Sequence, residues 1–145
     1  MNFIYKTSVL LFISGSMFLS CKSKQENKKG IVGKWVYKEM SYTSANRSYN
    51  NMDKEQREKR KEEDDREAKG TTFLFNADKT FVITPGIQKE PPATGTYEFK
   101  ENGELLMKRK ATTREEIATV TFPAKNTMKL EAPRNGIIII MTRVE

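Results

Sequence analysis

Gly33-Lys34-Trp35-Val36-Tyr37 is the stretch from which the rest of the chain is read. Its alternation puts Trp35 and Tyr37 on one face of a strand and Val36 and Lys38 on the other, a period of two. The strand is expected to run from Ile31 to about Tyr42, and it carries the chain's single Trp. The same period returns from Thr71 to the C-terminus. Thr72–Phe75 offers Phe73 and Phe75 to one face, and Lys79–Thr84 offers Phe81 and Ile83. Thr94–Lys100 offers Tyr97 and Phe99, and Glu104–Lys110 offers Leu105 and Met107. Glu116–Phe122 alternates Ala118, Val120 and Phe122, Thr127–Glu131 carries Met128 and Leu130, and Ile137–Val144 carries Ile139 and Met141.

The breaks between these runs are turn chemistry. Asn76-Ala77-Asp78, Glu101-Asn102-Gly103, Pro123–Asn126 and Pro133–Gly136 are short, and Asn102-Gly103 accepts the positive φ angles of a hairpin turn. Pro85–Pro92 is a longer loop. Short sequential links favour an antiparallel meander. The expected fold is all-β: eight antiparallel strands closed into an up-and-down barrel, with two packed sheets as the alternative. In such a meander the odd-numbered connections share one end. Ser41–Gly70, Pro85–Pro92, Ala111–Thr113 and Pro133–Gly136 would therefore frame a mouth, and the other end would be plain.

One segment breaks the period. Asp53–Lys69 has seven basic and eight acidic residues and no apolar stripe. Asp53 with Gln56 makes a capping box, and Gly70 is a helix stop. The spacing of four pairs Asp53 with Arg57, Glu55 with Lys59, Glu62 with Arg66 and Asp65 with Lys69. The segment is expected to be a solvated helix inserted between strands one and two. As a spacer or cover it needs no partner, and a protein-binding helix is the alternative. The acidic run Glu62-Glu63-Asp64-Asp65 reads as a solvated face, not a cation site.

Ahead of the barrel, residues 1–20 read as an export signal: Lys6, then the apolar Val9-Leu10-Leu11-Phe12-Ile13. That run is too short for a membrane span. Phe18-Leu19-Ser20-Cys21 resembles the lipobox of bacterial lipoproteins, in which the Cys carries the acyl chains; Phe18 departs from the usual Leu. An ordinary signal with a leftover thiol is the alternative. Cys21 is the chain's single Cys, so a disulfide framework is excluded despite export. Residues 21–29 read as a flexible tether whose Lys22, Lys24, Lys28 and Lys29 suit anionic headgroups. The formal charge of +7 would otherwise suggest nucleic acid. Export, anchoring and the near-neutral helix argue against that partner.

Gly33 and Trp35 in the first strand and Arg143 in the last resemble the signature of lipocalin-like (calycin) domains, here over residues 30–145. The chain looks more like the compact lipocalin-like domains of bacterial lipoproteins than like full lipocalins. The resemblance implies that Trp35 and Arg143 stack and close the plain end, and that the first long connection lies over the open mouth. It implies a small apolar or amphipathic ligand inside the barrel. The candidate cavity set is Tyr37, Phe73, Phe75, Phe81, Ile83, Tyr97, Phe99, Leu105, Met107, Ile139 and Met141. Such a barrel can also be filled by its own side chains. The competing expectation is an envelope interaction or inhibitor module that uses helix 53–69.

Enzyme chemistry finds little support. The chain has no His, which removes Ser–His and Cys–His nucleophiles and the usual zinc sites. It offers no phosphate or Ca²⁺ loop, and Glu115 and Glu116 on a strand point to opposite faces. No metal or cofactor is expected. The address expected is the outer membrane, lipid-anchored and facing the periplasm, with palmitate among the acyl chains on Cys21. Cys21→Ser is therefore expected to move the protein from the membrane pellet to the soluble periplasmic fraction; a variant still found in the pellet would refute the anchor.

Overall fold

The computed structural model describes residues 30–87, 90–112 and 115–144. The export signal, Cys21 and the tether fall outside the described residues. The chain forms eight strands: β1 Gly33–Tyr42, β2 Thr72–Phe75, β3 Thr80–Thr84, β4 Ala93–Phe99, β5 Leu105–Arg109, β6 Glu115–Ala124, β7 Thr127–Ala132 and β8 Ile137–Arg143. Each pairs antiparallel with its sequence neighbours, and β1 pairs with β8 to close the barrel. Closure satisfies the edges that an open sheet would leave unpaired. A short helix α1, Arg47–Asn50, and a longer helix α2, Lys54–Ala68, interrupt the β1–β2 connection.

The inward alternation fills the lower barrel. Trp35, Phe75, Phe81, Leu105, Val120, Met128 and Met141 are fully buried. Phe75 meets Tyr97 edge-on at 5.2 Å and Phe81 at 6.4 Å, and Trp35 meets Phe122 at 5.9 Å. Gly95 on β4 makes the ring packing possible: a Cβ there would lie 2.7 Å from the Phe81 ring and 2.0 Å from the Lys108 carbonyl.

The plain end is closed by one side chain acting on three groups. Trp35 and Arg143 are register partners, and the guanidinium lies 4.2 Å from the Trp35 ring centroid. Its Nη1 donates to the Val32 carbonyl at 2.8 Å and its Nη2 to the Gly30 carbonyl. The indole N–H donates to the Ile31 carbonyl at 2.8 Å. Gly33 has φ +134°, and a Cβ on it would lie 2.5 Å from Arg143 Nη1. The glycine therefore serves both backbone conformation and side-chain clearance.

Two turns depart from expectation. At Glu101-Asn102-Gly103 only Gly103 takes positive φ, +86°, because the loop has three residues with Gly in the left-handed position. Lys79, φ +68°, occupies the matching place after Ala77-Asp78. Pro123 lies within β6 and not in the turn, at a register shift between Thr121 and Ala124 where no ladder N–H is required of it.

Helix α2 has the expected capping box between Asp53 and Gln56. It is not simply solvated. Asp65 Oδ1 accepts from the Tyr37 hydroxyl and from the Met40 N–H at 3.1 Å, and Asp64 accepts from the Tyr42 hydroxyl. Tyr42 also stacks on Tyr49, centroids 4.1 Å apart. The ion pairs shift accordingly to Lys54–Glu58, Arg60–Asp64 and Lys61–Asp65. Asp65 is turned to the barrel and so takes Lys61 one turn earlier, not Lys69, which leaves the helix at ψ 128°. Asp53 is occupied as the cap, not with Arg57. The expected pairs Glu55–Lys59 and Glu62–Arg66 are not among the ion pairs of the described residues, which costs little for exposed charges.

Two outcomes follow from these contacts. Trp35→Ala is expected to lose roughly 3–5 kcal/mol of unfolding free energy by cavity formation. Arg143→Ala should lose about 1.5–3 kcal/mol through its charge-assisted bonds, and chemical denaturation would read both. For the helix, burial raises the Asp65 pKa, but hydrogen bonds from Lys61, Tyr37 and the Met40 N–H hold it below the usual carboxylate value. A depressed pKa gives stability that is present above the unfolded value and lost as pH falls through the folded one. Acidification below about pH 4 should therefore lower the protection factor of the Met40 amide, its exchange taken relative to the intrinsic rate at each pH. Asp65→Asn should show fast exchange already at neutral pH, with a cost of about 1–3 kcal/mol.

Candidate functional site: the barrel mouth

The connections β1–β2, β3–β4, β5–β6 and β7–β8 share one end of the barrel, opposite the Trp35–Arg143 contact. Strand register sets which inward side chains reach that end. Phe73 pairs with Ile83, Met107 with Glu116, Leu130 with Ile139 and Ala132 with Ile137. These residues, with Arg109, Ala118, Arg134 and Asn135, line a cavity of about 200 Å³. Its floor is apolar and its rim is charged.

The charged groups come from continued alternation. Leu105, Met107 and Arg109 share the inner face of β5; Glu116, Ala118 and Val120 share that of β6. Arg109 Nη2 lies 3.4 Å from Glu116 Oε1, both side chains partly exposed. Arg109 Nε is buried and has no hydrogen-bond partner among the described residues. On the outer face Lys108 Nζ meets Glu115 Oε1 at 2.7 Å. The hydrogen bond and charge of Lys108, with a smaller contribution from Arg134, hold the Glu115 carboxyl below its ordinary pKa.

Of the residues expected to line a cavity, Phe73, Ile83, Met107 and Ile139 do so. Phe75, Phe81, Tyr97, Leu105 and Met141 instead belong to the packed core below, and Phe99 packs against it. Tyr37 is buried, and its hydroxyl is committed to Asp65. Gly33, Trp35 and Arg143 lie at the closed end, far from the mouth by register. The correction has one physical cause: alternation assigns a face, whereas height along the barrel depends on register. Arg109, Glu116 and Ile137 were not anticipated as mouth residues, whereas Arg134 lies in the Pro133–Gly136 link expected to frame the mouth. The signal for Arg109 and Glu116 was present, since each extends an apolar alternation by one step.

A second hollow lies between α2 and the β1 side of the mouth. Met40, Tyr42, Tyr49, Met52 and Ile137 line it, with the polar Asn46, Ser48, Arg60 and Asp64 on the helical side. Ile137 borders both spaces. Burial, then the hydrogen bond to Asp64, pushes the Tyr42 hydroxyl from 10.0 up to about 12, so it remains a protonated donor at neutral pH. Among the described residues no cluster of acidic side chains suits a metal ion. No described helix is long and apolar enough to cross a membrane.

No protein-family model and no curated protein matches the sequence. Among solved structures, a DUF4847 family protein from Bacteroides vulgatus ATCC 8482 is similar at TM-score 0.50 and 14% sequence identity, over 76% of this chain and 91% of that one. The likeness is one of fold.

Proposed function

We propose that this protein is a lipid-anchored, lipocalin-like lipoprotein that holds a small apolar or amphipathic molecule at the mouth of its barrel without transforming it. The observation that carries the reading is the cavity of about 200 Å³, apolar at its floor and charged at its rim. Concave sites with apolar walls and a few placed polar groups are the usual form of small-ligand sites. Within the barrel, the closed end and the interlocked aromatic core leave the mouth as the space open to a ligand. The Trp35–Arg143 contact is compatible with the lipocalin-like resemblance, and the lipobox at Cys21 supports an anchor on the outer membrane, on the periplasmic side. Nothing in the site asks for nucleic acid, metal or cofactor.

The interaction-module reading began from a charged helix with no surface to bury. The seat of Asp64 and Asp65 on Tyr42 and Tyr37 gives that helix a use within the chain, so ligand capture is the reading favoured. Native mass spectrometry of the Cys21→Ser protein tests it. A co-purifying small molecule is expected, and it should vanish in Ile139→Trp, which fills the cavity at an unchanged fold. Capture that is absent from the parent, or insensitive to Ile139→Trp, would defeat the reading.

A further inference from the structure

Resting on that reading, we infer that the mouth selects a short monoanionic amphipath: a carboxylate head on Arg109 with an alkyl tail over Phe73, Ile83, Met107, Leu130 and Ile139. Three observations converge on this class.

The first is the orphaned donor. A guanidinium has five N–H groups and no acceptor capacity. Arg109 Nε is buried without a partner among the described residues, and a buried unsatisfied donor is costly. The ligand that repairs it must bring an acceptor. A carboxylate does so best, because its two oxygens match the guanidinium edge.

The second is the weakness of the resident acceptor. Glu116 approaches Nη2 only at 3.4 Å, beyond the roughly 2.7–2.9 Å of a good charge-assisted bond. It offsets the charge of Arg109 without occupying Nε. Glu115, which also borders the cavity, is already paired with Lys108 on the outer face. Arg134 on the rim adds a second cation. The mouth therefore keeps a positive excess for an incoming anion, and Glu116 is the group it must share Arg109 with.

The third is size. A cavity of about 200 Å³ holds roughly seven water-sized groups at about 30 Å³ each. It lies below the roughly 300 Å³ at which sites for larger ligands begin. Octanoate is matched, whereas a long-chain acid would leave most of its tail in water.

Calorimetric titration of the full chain carrying Cys21→Ser, which keeps acyl chains out of the measurement, tests the inference with octanoate, 1-octanol, octylammonium and palmitate. Octanoate is expected to bind about ten- to a hundredfold more tightly than octanol, the range of one charge-assisted bond. Octylammonium should be weaker than octanol, and palmitate no tighter than octanoate. Arg109→Lys should weaken octanoate by about tenfold and leave octanol unchanged, because the planar fork is lost while the charge remains. Glu116→Gln should tighten octanoate alone. Equal affinity for octanoate and octanol in the parent would overturn the anion assignment while leaving the cavity reading intact. Binding of none of the four would sink both. Tighter palmitate binding would overturn the size argument. If Arg109→Lys unfolds, the parent's head-group ranking and Glu116→Gln still decide.

Discussion

The barrel depends on the contact between its first and last strands. Hairpins can bring neighbouring strands together locally, but nothing local joins β1 to β8. That seam forms only if the whole meander curls back on itself, and its ends are separated by nearly the entire domain. Trp35 and Arg143 sit at its lower edge, and the guanidinium holds the chain entering β1 through the carbonyls of Gly30 and Val32. The entropy of closing so long a loop grows only slowly with its length. A stacked cation, two charge-assisted bonds and a fully buried indole are enough to fix the register there. Because register is fixed at the seam, it is fixed at the mouth as well: a one-residue slip would exchange the inward set for the outward one. Arg109 and Glu116 would then face solvent, and the apolar floor would be lost.

What could be read in advance was whatever depended on neighbours in sequence. The inward residues Phe73, Phe75, Phe81, Tyr97 and Leu105 followed from a period of two, and the N-terminus of α2 from a capping box four residues long. Trp35 and Arg143 were also legible, because an antiparallel meander of eight strands that closes into a barrel returns its last strand to its first. The seat of α2 was not. Asp65 and Tyr37 are 28 residues apart, and no pattern in either segment marks the other. Their union decides which ion pairs the helix makes. The division between packed core and open mouth was hidden for the same reason. Phe75 and Ile83 carry the same alternation signal, yet one is locked between Phe81 and Tyr97 and the other borders a cavity.

The charged helix shows how sequence composition can mislead about surface. Lacking an apolar stripe, α2 cannot dock by the hydrophobic effect, the usual source of helix stability in a domain. It docks through carboxylates onto tyrosine hydroxyls. Phenols suit this use: the ring buries in the barrel wall while the polar tip reaches the helix. Asp64 keeps only 13% of its side-chain exposure, a degree of burial that a count of charges does not reveal.

The two ends of the barrel also differ in what lies beyond them. Residues 30–32 enter β1 at the closed end, held there by Arg143, and Val144 leaves β8 at the same level, its N–H bonded to the Lys34 carbonyl. With the anchor proposed at Cys21, the floor at which residue 30 enters would be the end nearer the bilayer, and the mouth would open on the far side. The barrel would stand on the bilayer like an upright cup. Its contents would exchange with the aqueous compartment and not by lateral entry from the lipid, which suits a short soluble amphipath better than a molecule that already partitions into membranes.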